Sequence, residues 1–201
     1  MATDRYEERA KGFIEGRGFT CELFTKEEMR KGRTPDFKVY QKGDFRFYCE
    51  VKGMAKDQWL DNQLAAAPPG KIVGGLRDDP VFNRIAKDIY DAVNQFDAVN
   101  PRLECPNAIV FVNSKGSHCY YGDLLSTVTG NFFAEGGKID YIYGKYSDGR
   151  IKEKKQRVHM FVWLEPTGEH YFLFNDLKGH HQRDLCSWLG KDPDTIKLLG
   201  S

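Results

Sequence analysis

Residues 35–52 read Pro-Asp-Phe-Lys-Val-Tyr-Gln-Lys-Gly-Asp-Phe-Arg-Phe-Tyr-Cys-Glu-Val-Lys, two alternating runs that read as the arms of a β-hairpin. On the second arm Glu50 and Lys52 stand two residues apart. Strand alternation sends both to one face while Phe47, Cys49 and Val51 point to the other. The first arm opens with Asp36. A three-residue turn at Lys42, Gly43 and Asp44 sets Gln41 against Phe45 and Asp36 directly opposite Glu50, where cross-strand side chains share a face. A two-residue turn shifts the register by one and points the two carboxylates apart. The first alternative gathers two carboxylates and one ammonium, a set suited to a divalent metal.

Upstream, Tyr6, Ala10, Phe13, Ile14 and Arg17 recur at helical spacing and Gly18 follows as a stop, which predicts an amphipathic helix over 4–17. Glu7 falls beside Ile14 at the edge of its apolar stripe, whereas Glu8 and Glu15 fall on the solvent side. A short strand, Phe19 to Phe24, precedes a polar stretch from Thr25 to Thr34 that reads as a surface loop or short helix. Downstream, 53–80 loses periodicity and carries Ala65-Ala66-Ala67-Pro68-Pro69-Gly70 and Gly74-Gly75, the mark of an insertion or mobile loop. Phe82, Ile85, Ala86, Ile89, Val93 and Phe96 then give a second amphipathic helix, ended before Pro101. Ala108 to Val112 fits a buried central strand, and Asp123 to Val128 a helical turn. Tyr141 to Tyr146, Val158 to Leu164 and Tyr171 to Phe174 read as strands of hairpins, separated by turn signals at Ser147-Asp148-Gly149 and Pro166-Thr167-Gly168. A last helix spans Gln182 to Leu189 and closes at Gly190. The order describes one α/β domain, a mixed central sheet flanked by helices with additional C-terminal β-hairpins.

The chain has 201 residues, 40% hydrophobic and 29% charged, with a net charge of +1 from 30 basic and 29 acidic side chains. It is no polycation, so a nucleic-acid site has to be a local patch. The N-terminus lacks the apolar core of a signal peptide, and no run approaches the ~18 apolar residues of a membrane span, so the expectation is a cytosolic protein. Cys21, Cys49, Cys105, Cys119 and Cys186 are scattered singly, which argues against a zinc site or a full disulfide framework. The histidines show no metal-ligand spacing beyond the doublet His180-His181 and read as ordinary surface or core residues.

The string of Glu7 to Phe19, Pro35-Asp36 and Glu50-Val51-Lys52 resembles the core of the PD-(D/E)xK nuclease superfamily, the restriction-endonuclease-like fold also found in archaeal Holliday-junction resolvases. An acid on the first helix precedes a Gly-Phe (here Gly18-Phe19), a second acid opens a hairpin, and an acid-x-Lys closes it. Acid-x-Lys triples occur four times in this chain. Only Glu50 to Lys52 ends an alternating strand with a Pro-Asp-led strand just before it and an amphipathic helix upstream. The resemblance covers about the first hundred residues and extends to Gln95, since similar nucleases often carry a Gln on that helix. It places the core at about 1–113 and makes 53–80 and 114–201 elaborations.

The resemblance implies a magnesium-dependent endonuclease acting on DNA, with manganese able to substitute, and leaves a homodimer open. Magnesium takes oxygen ligands, which here would be Asp36, Glu50 and the Val51 carbonyl, with Glu7 as an additional ligand. Lys52 would orient the attacking water or stabilise charge on phosphorus. Gln95 lies opposite the apolar stripe of its helix, so its supporting role rests on resemblance alone. Arg30, Lys31 and Arg33 are candidates for phosphate contacts, although a charge run is commonly a solvated face. The alternative is a catalytically inactive nucleic-acid or protein-binding module with a nuclease-like fold.

Overall fold

Asn107–Asn113, which contains the continuously apolar run Ala108 to Val112, forms a strand in which every residue is buried. A strand of this kind is stable at the centre of a sheet whose two faces are both covered. The computed structural model describes residues 3–56, 58–72, 81–130, 132–133, 139–140, 148–175, 180–196 and 199. Its elements are α1 (Thr3–Glu15), β1 (Thr20–Glu22), α2 (Lys26–Lys31), β2 (Phe37–Gln41), β3 (Asp44–Met54), α3 (Gln58–Ala66), α4 (Val81–Val99), β4 (Asn107–Asn113), α5 (Tyr121–Thr129), β5 (Phe132–Phe133), β6 (Ile139–Asp140), α6 (Asp148–Lys155), β7 (Met160–Leu164), β8 (His170–Phe174) and α7 (His181–Trp188).

Six strands make one sheet in the order β1-β2-β3-β4-β7-β8, and β5 and β6 pair separately. β3, β4 and β7 are mutually parallel, while β1 and β2 on one side and β8 on the other join antiparallel. The protein is thus mixed α/β, with a six-stranded mixed sheet flanked by helices. Alternation divides the core in two. Ala10 and Ile14 of α1 and Leu185 and Cys186 of α7 cover the face carrying Cys49, Val51, Val110 and Val162. Ile85, Ile89, Val93 and Phe96 of α4, with Leu124 of α5 and Ile151 of α6, cover the face carrying Met54, Ile109, Phe111 and Trp163.

The C-terminal half departs from the sequence expectation. β7 and β8 do form a hairpin, but β7 also pairs with β4 over Ala108 to Val112, so the hairpin completes the central sheet. The physical reason is burial, since all five residues of β7 are enclosed and need a neighbour on each side. The stretch read as an insertion contains α3, which stops at Ala66 ahead of Pro68 and Pro69. Asp148 and Gly149, read as part of a turn, instead open α6, aspartate being a residue type that favours helix starts as well as turns; Ser147 lies outside the described residues. The strand read at Tyr141 to Tyr146, and Gly74-Gly75, lie outside the described residues. All five cysteines are unbridged. Among the described residues, no helix is long and apolar enough to cross a membrane.

One contact fixes α1 against the strand that carries Glu50 and Lys52. The Tyr6 ring lies so close over Gly53 that a Cβ there would overlap its Cγ, Cδ2 and Cε2 atoms. Gly53→Ala is therefore expected to destabilise the fold by about 1–3 kcal/mol. In chemical denaturation Tyr6→Ala should recover part of that loss, giving a coupling well outside additivity.

Candidate functional site

The hairpin closes on a turn different from the one that the alternation first suggests. Gln41 pairs with Asp44, leaving Lys42 and Gly43 as a two-residue loop in which both have positive φ, 55° and 87°. Such a loop suits the twist of a hairpin. Taken alone it would set Asp36 and Glu50 on opposite faces. The register, however, shifts between Val39 and Tyr40: Tyr40 pairs with Phe45 but Val39 with Phe47, so Arg46 is an extra residue on β3. This β-bulge restores the parity. From there Phe37 faces Cys49, and the next position outward sets Asp36 against Glu50.

Each carboxylate accepts a backbone N–H across the hairpin. The Asp36 N–H donates to Glu50 Oε2 at 3.2 Å, and the Val51 N–H donates to Asp36 Oδ2 at 2.7 Å. Lys52 Nζ donates to Glu50 Oε1 at 2.7 Å. Glu50 is only 3% exposed and Lys52 17%, so the three groups meet in a mostly desolvated corner of the α4-covered face. Burial there pushes the Glu50 carboxyl up to about 8, and the neighbouring Asp36 charge adds to the rise, against the opposing pull of Lys52. Asp36 is also raised, by burial, despite the Val51 N–H and Lys52. Two carboxyls this close in one desolvated site each disfavour ionisation of the other.

α4 supplies the wall. Gln95 Nε2 donates to the Thr34 carbonyl at 3.0 Å, two residues before Asp36, and the side chain also hydrogen-bonds Glu50. Its Oε1 is buried without a hydrogen-bond partner among the described residues. The solvated position inferred from the helical wheel is thus replaced by one against the hairpin. The stripe of Ile85, Ile89, Ala92, Val93 and Phe96 packs on the sheet, and Gln95 flanks it where the hairpin begins. Seven residues earlier, about two turns along, is Asp88, which no motif in the sequence singles out. Its carboxyl is pushed up to about 6 by burial, with Lys52 the strongest opposing charge. The spacing of 88 and 95 on one flank of α4 was the available signal.

The fold therefore brings together Asp36, Glu50, Val51, Lys52 and Gln95. It roots Glu7, which is half-buried, across the sheet from them, since α1 packs on the Cys49 and Val51 face. Arg30 and Lys31 end α2 with exposed side chains, Lys31 pairing with Glu27 at 3.3 Å, and Arg33 is exposed in the segment that leads to Asp36. α2 is anchored by a capping box at Thr25 and Glu28, and Glu28 binds Lys38 of β2 at 3.0 Å. The basic residues are held beside the hairpin by that link. Comparisons with protein-family models, with curated proteins and with solved structures find no match for this chain.

The donor set fits a hard divalent cation. Two carboxyls that resist joint ionisation need added positive charge, and an unpartnered amide oxygen lies beside them. A pH dependence results. Because the folded protein retains the Glu50 proton from the ordinary value of 4.5 up to about 8, it binds more protons than the unfolded chain across that window. Stability of the metal-free protein should then fall as pH rises from 4.5 to 8 and level off above. Thermal unfolding monitored over pH 5–9 should show this decline. Glu50→Gln should flatten it, leaving the variant about 1–3 kcal/mol more stable than the parent at the alkaline end.

Proposed function

We propose that this chain is a magnesium-dependent nuclease with a restriction-endonuclease-like fold that hydrolyses phosphodiester bonds in DNA. The observation that carries the reading is the bulge-corrected register, which converges Asp36, Glu50 and Lys52 in one desolvated corner. A purely structural hairpin has no need to bury two carboxyls against each other at such cost. Asp36 and Glu50 would hold the ion, with the Val51 carbonyl as a further oxygen donor, and manganese would substitute; Glu7, rooted on the other face of the sheet, is left out of this ligand set. When bound, the ion polarises the scissile phosphodiester and lowers the pKa of a water.

The chain's own groups do the rest. Lys52 keeps an ammonium beside the carboxylates, aimed where negative charge develops on the phosphoryl oxygens. Gln95 fixes the entry of the hairpin through Thr34 and offers Oε1 as an acceptor that can orient a water. Arg30, Lys31 and Arg33 form a local basic patch for backbone phosphates, the kind of contact that positions a duplex without reading it. A second reading has one observation in its favour. Lys52 already gives Glu50 a counter-charge at 2.7 Å, as a catalytically inactive binding module with the same fold would retain.

Cleavage assays with magnesium over duplex, junction, flap and single-stranded DNA, and over RNA, separate the two. The nuclease reading expects metal-dependent cleavage of DNA that Asp36→Asn or Glu50→Gln abolishes while the fold is retained. Nucleic-acid binding without cleavage by the parent would favour the module.

Lys52→Ala acts on the transition state more than on the metal. It is expected to slow single-turnover cleavage by roughly 100-fold or more with little change in magnesium affinity. A normal rate with weakened metal binding would reduce Lys52 to a scaffold for the carboxylates.

A further inference from the structure

The doublet His180-His181, the one histidine spacing in the sequence that could suit a metal and read there as ordinary surface or core residues, gains a third partner in the fold. α7 begins at His181, with His180 as its N-cap and Asp184 in its first turn. One ligand atom from each of His180, His181 and Asp184 lies within 4.8 Å of the others, the one such cluster of His, Cys, Asp or Glu among the described residues. His180 Nε2 and Asp184 Oδ2 are 3.5 Å apart. Zinc bonds of about 2.0–2.1 Å in a tetrahedron place neighbouring ligand atoms about 3.3–3.5 Å apart, so this edge already has the size that the ion requires.

The surroundings of His181 are those of an oriented ligand. Its Nε2 lies 3.0 Å from the Leu103 carbonyl, so Nε2 carries the proton and donates, leaving the Nδ1 lone pair available. A backbone carbonyl in this role fixes the tautomer and ring orientation of metal-binding histidines. Leu103 itself has a left-handed φ of 54°, an uncommon conformation for a non-glycine residue. The ring is further braced edge-on by His159, with centroids 5.1 Å apart. His159 spends its own Nδ1 accepting the Asn107 N–H at 3.0 Å and is a wall, not a ligand. Asp184 supplies the negative charge that offsets the positive end of α7, and the exposed His180, 77% open, leaves room for a water to complete four-coordination.

We infer that His180, His181 and Asp184 form a site for a zinc-class transition-metal ion, independent of the hairpin carboxylates. Two imidazoles and one carboxylate with an open fourth position suit zinc, and copper more tightly, whereas magnesium prefers an all-oxygen shell. Filled, the site would tie the start of α7 to the Leu103 segment ahead of β4.

The test uses the full chain, stripped with a chelator and titrated calorimetrically with zinc chloride, with cobalt(II) absorption as a readout of coordination geometry. With millimolar magnesium present to occupy the hairpin carboxylates, one equivalent per chain is expected, unchanged in Glu50→Gln, with tetrahedral cobalt absorption. His180→Ala and Asp184→Asn, which alter exposed or half-exposed positions and should leave the fold intact, are each expected to weaken binding at least about tenfold. Absence of saturable binding, or equal affinity in both variants and the parent, would overturn the site. So would half an equivalent accompanied by dimerisation, since the ion would then bridge two copies.

Discussion

The pairing of β2 with β3 is the constraint on which the remainder depends. Strand side chains alternate with a period of two, so a single residue of slippage would exchange the hydrophobic and charged sets of the entire hairpin. With the observed pairing, Phe37, Val39, Phe47, Cys49 and Val51 enter the core under α1. Asp36, Glu50 and Lys52 then fall together on the α4 side. The apolar burial on one face therefore stabilises, through the covalent backbone, the unfavourable proximity of carboxyls on the other. Hydrophobic area removed from water supplies the driving force, and the charged corner draws on it.

Parallel pairing then carries the arrangement inward. β3 is bound to β4 from Tyr48 to Met54, so Glu50 and Lys52 are built on a paired strand, more rigid than a loop would be. β4 in turn depends on β7, some fifty residues later in the chain. A truncation after Asn113 would leave a strand with a continuously apolar centre and an open edge, the arrangement most prone to pairing with other chains. The N-terminal hundred residues are thus not separable from the β7–β8 hairpin.

Much of this was legible in the sequence. The alternation of 45–52 and the stripe on α4 are strong periodic signals, and each appears where the residues placed it. The relation of Asp36 to Glu50 depended on a turn that local residues do not determine. Lys-Gly is a weaker two-residue turn signal than Asn-Gly, and nothing in Phe45-Arg46-Phe47 announces an extra residue. α3 and α6 escaped because they present little apolar periodicity. Trp59 and Leu64 of α3 are exposed, and α6 buries Ile151 within a lysine-rich segment. The partnership of β4 with β7, the meeting of His181 with Leu103 and the turn of Gln95 toward Thr34 are contacts between distant segments. A single sequence read by local pattern does not show them.

The bulge at Arg46 has a consequence for how this hairpin can vary through descent. Loss of Arg46 alone, or gain of one residue in the Lys42-Gly43 turn, would reverse the faces, and either change would be lethal to the corner even where it left the strands themselves intact. The two changes together would cancel. Insertions and deletions between Phe37 and Cys49 should therefore survive only in parity-preserving combinations, so that turn length and bulge co-vary among descendants as a linked pair while the ends of the hairpin stay in phase.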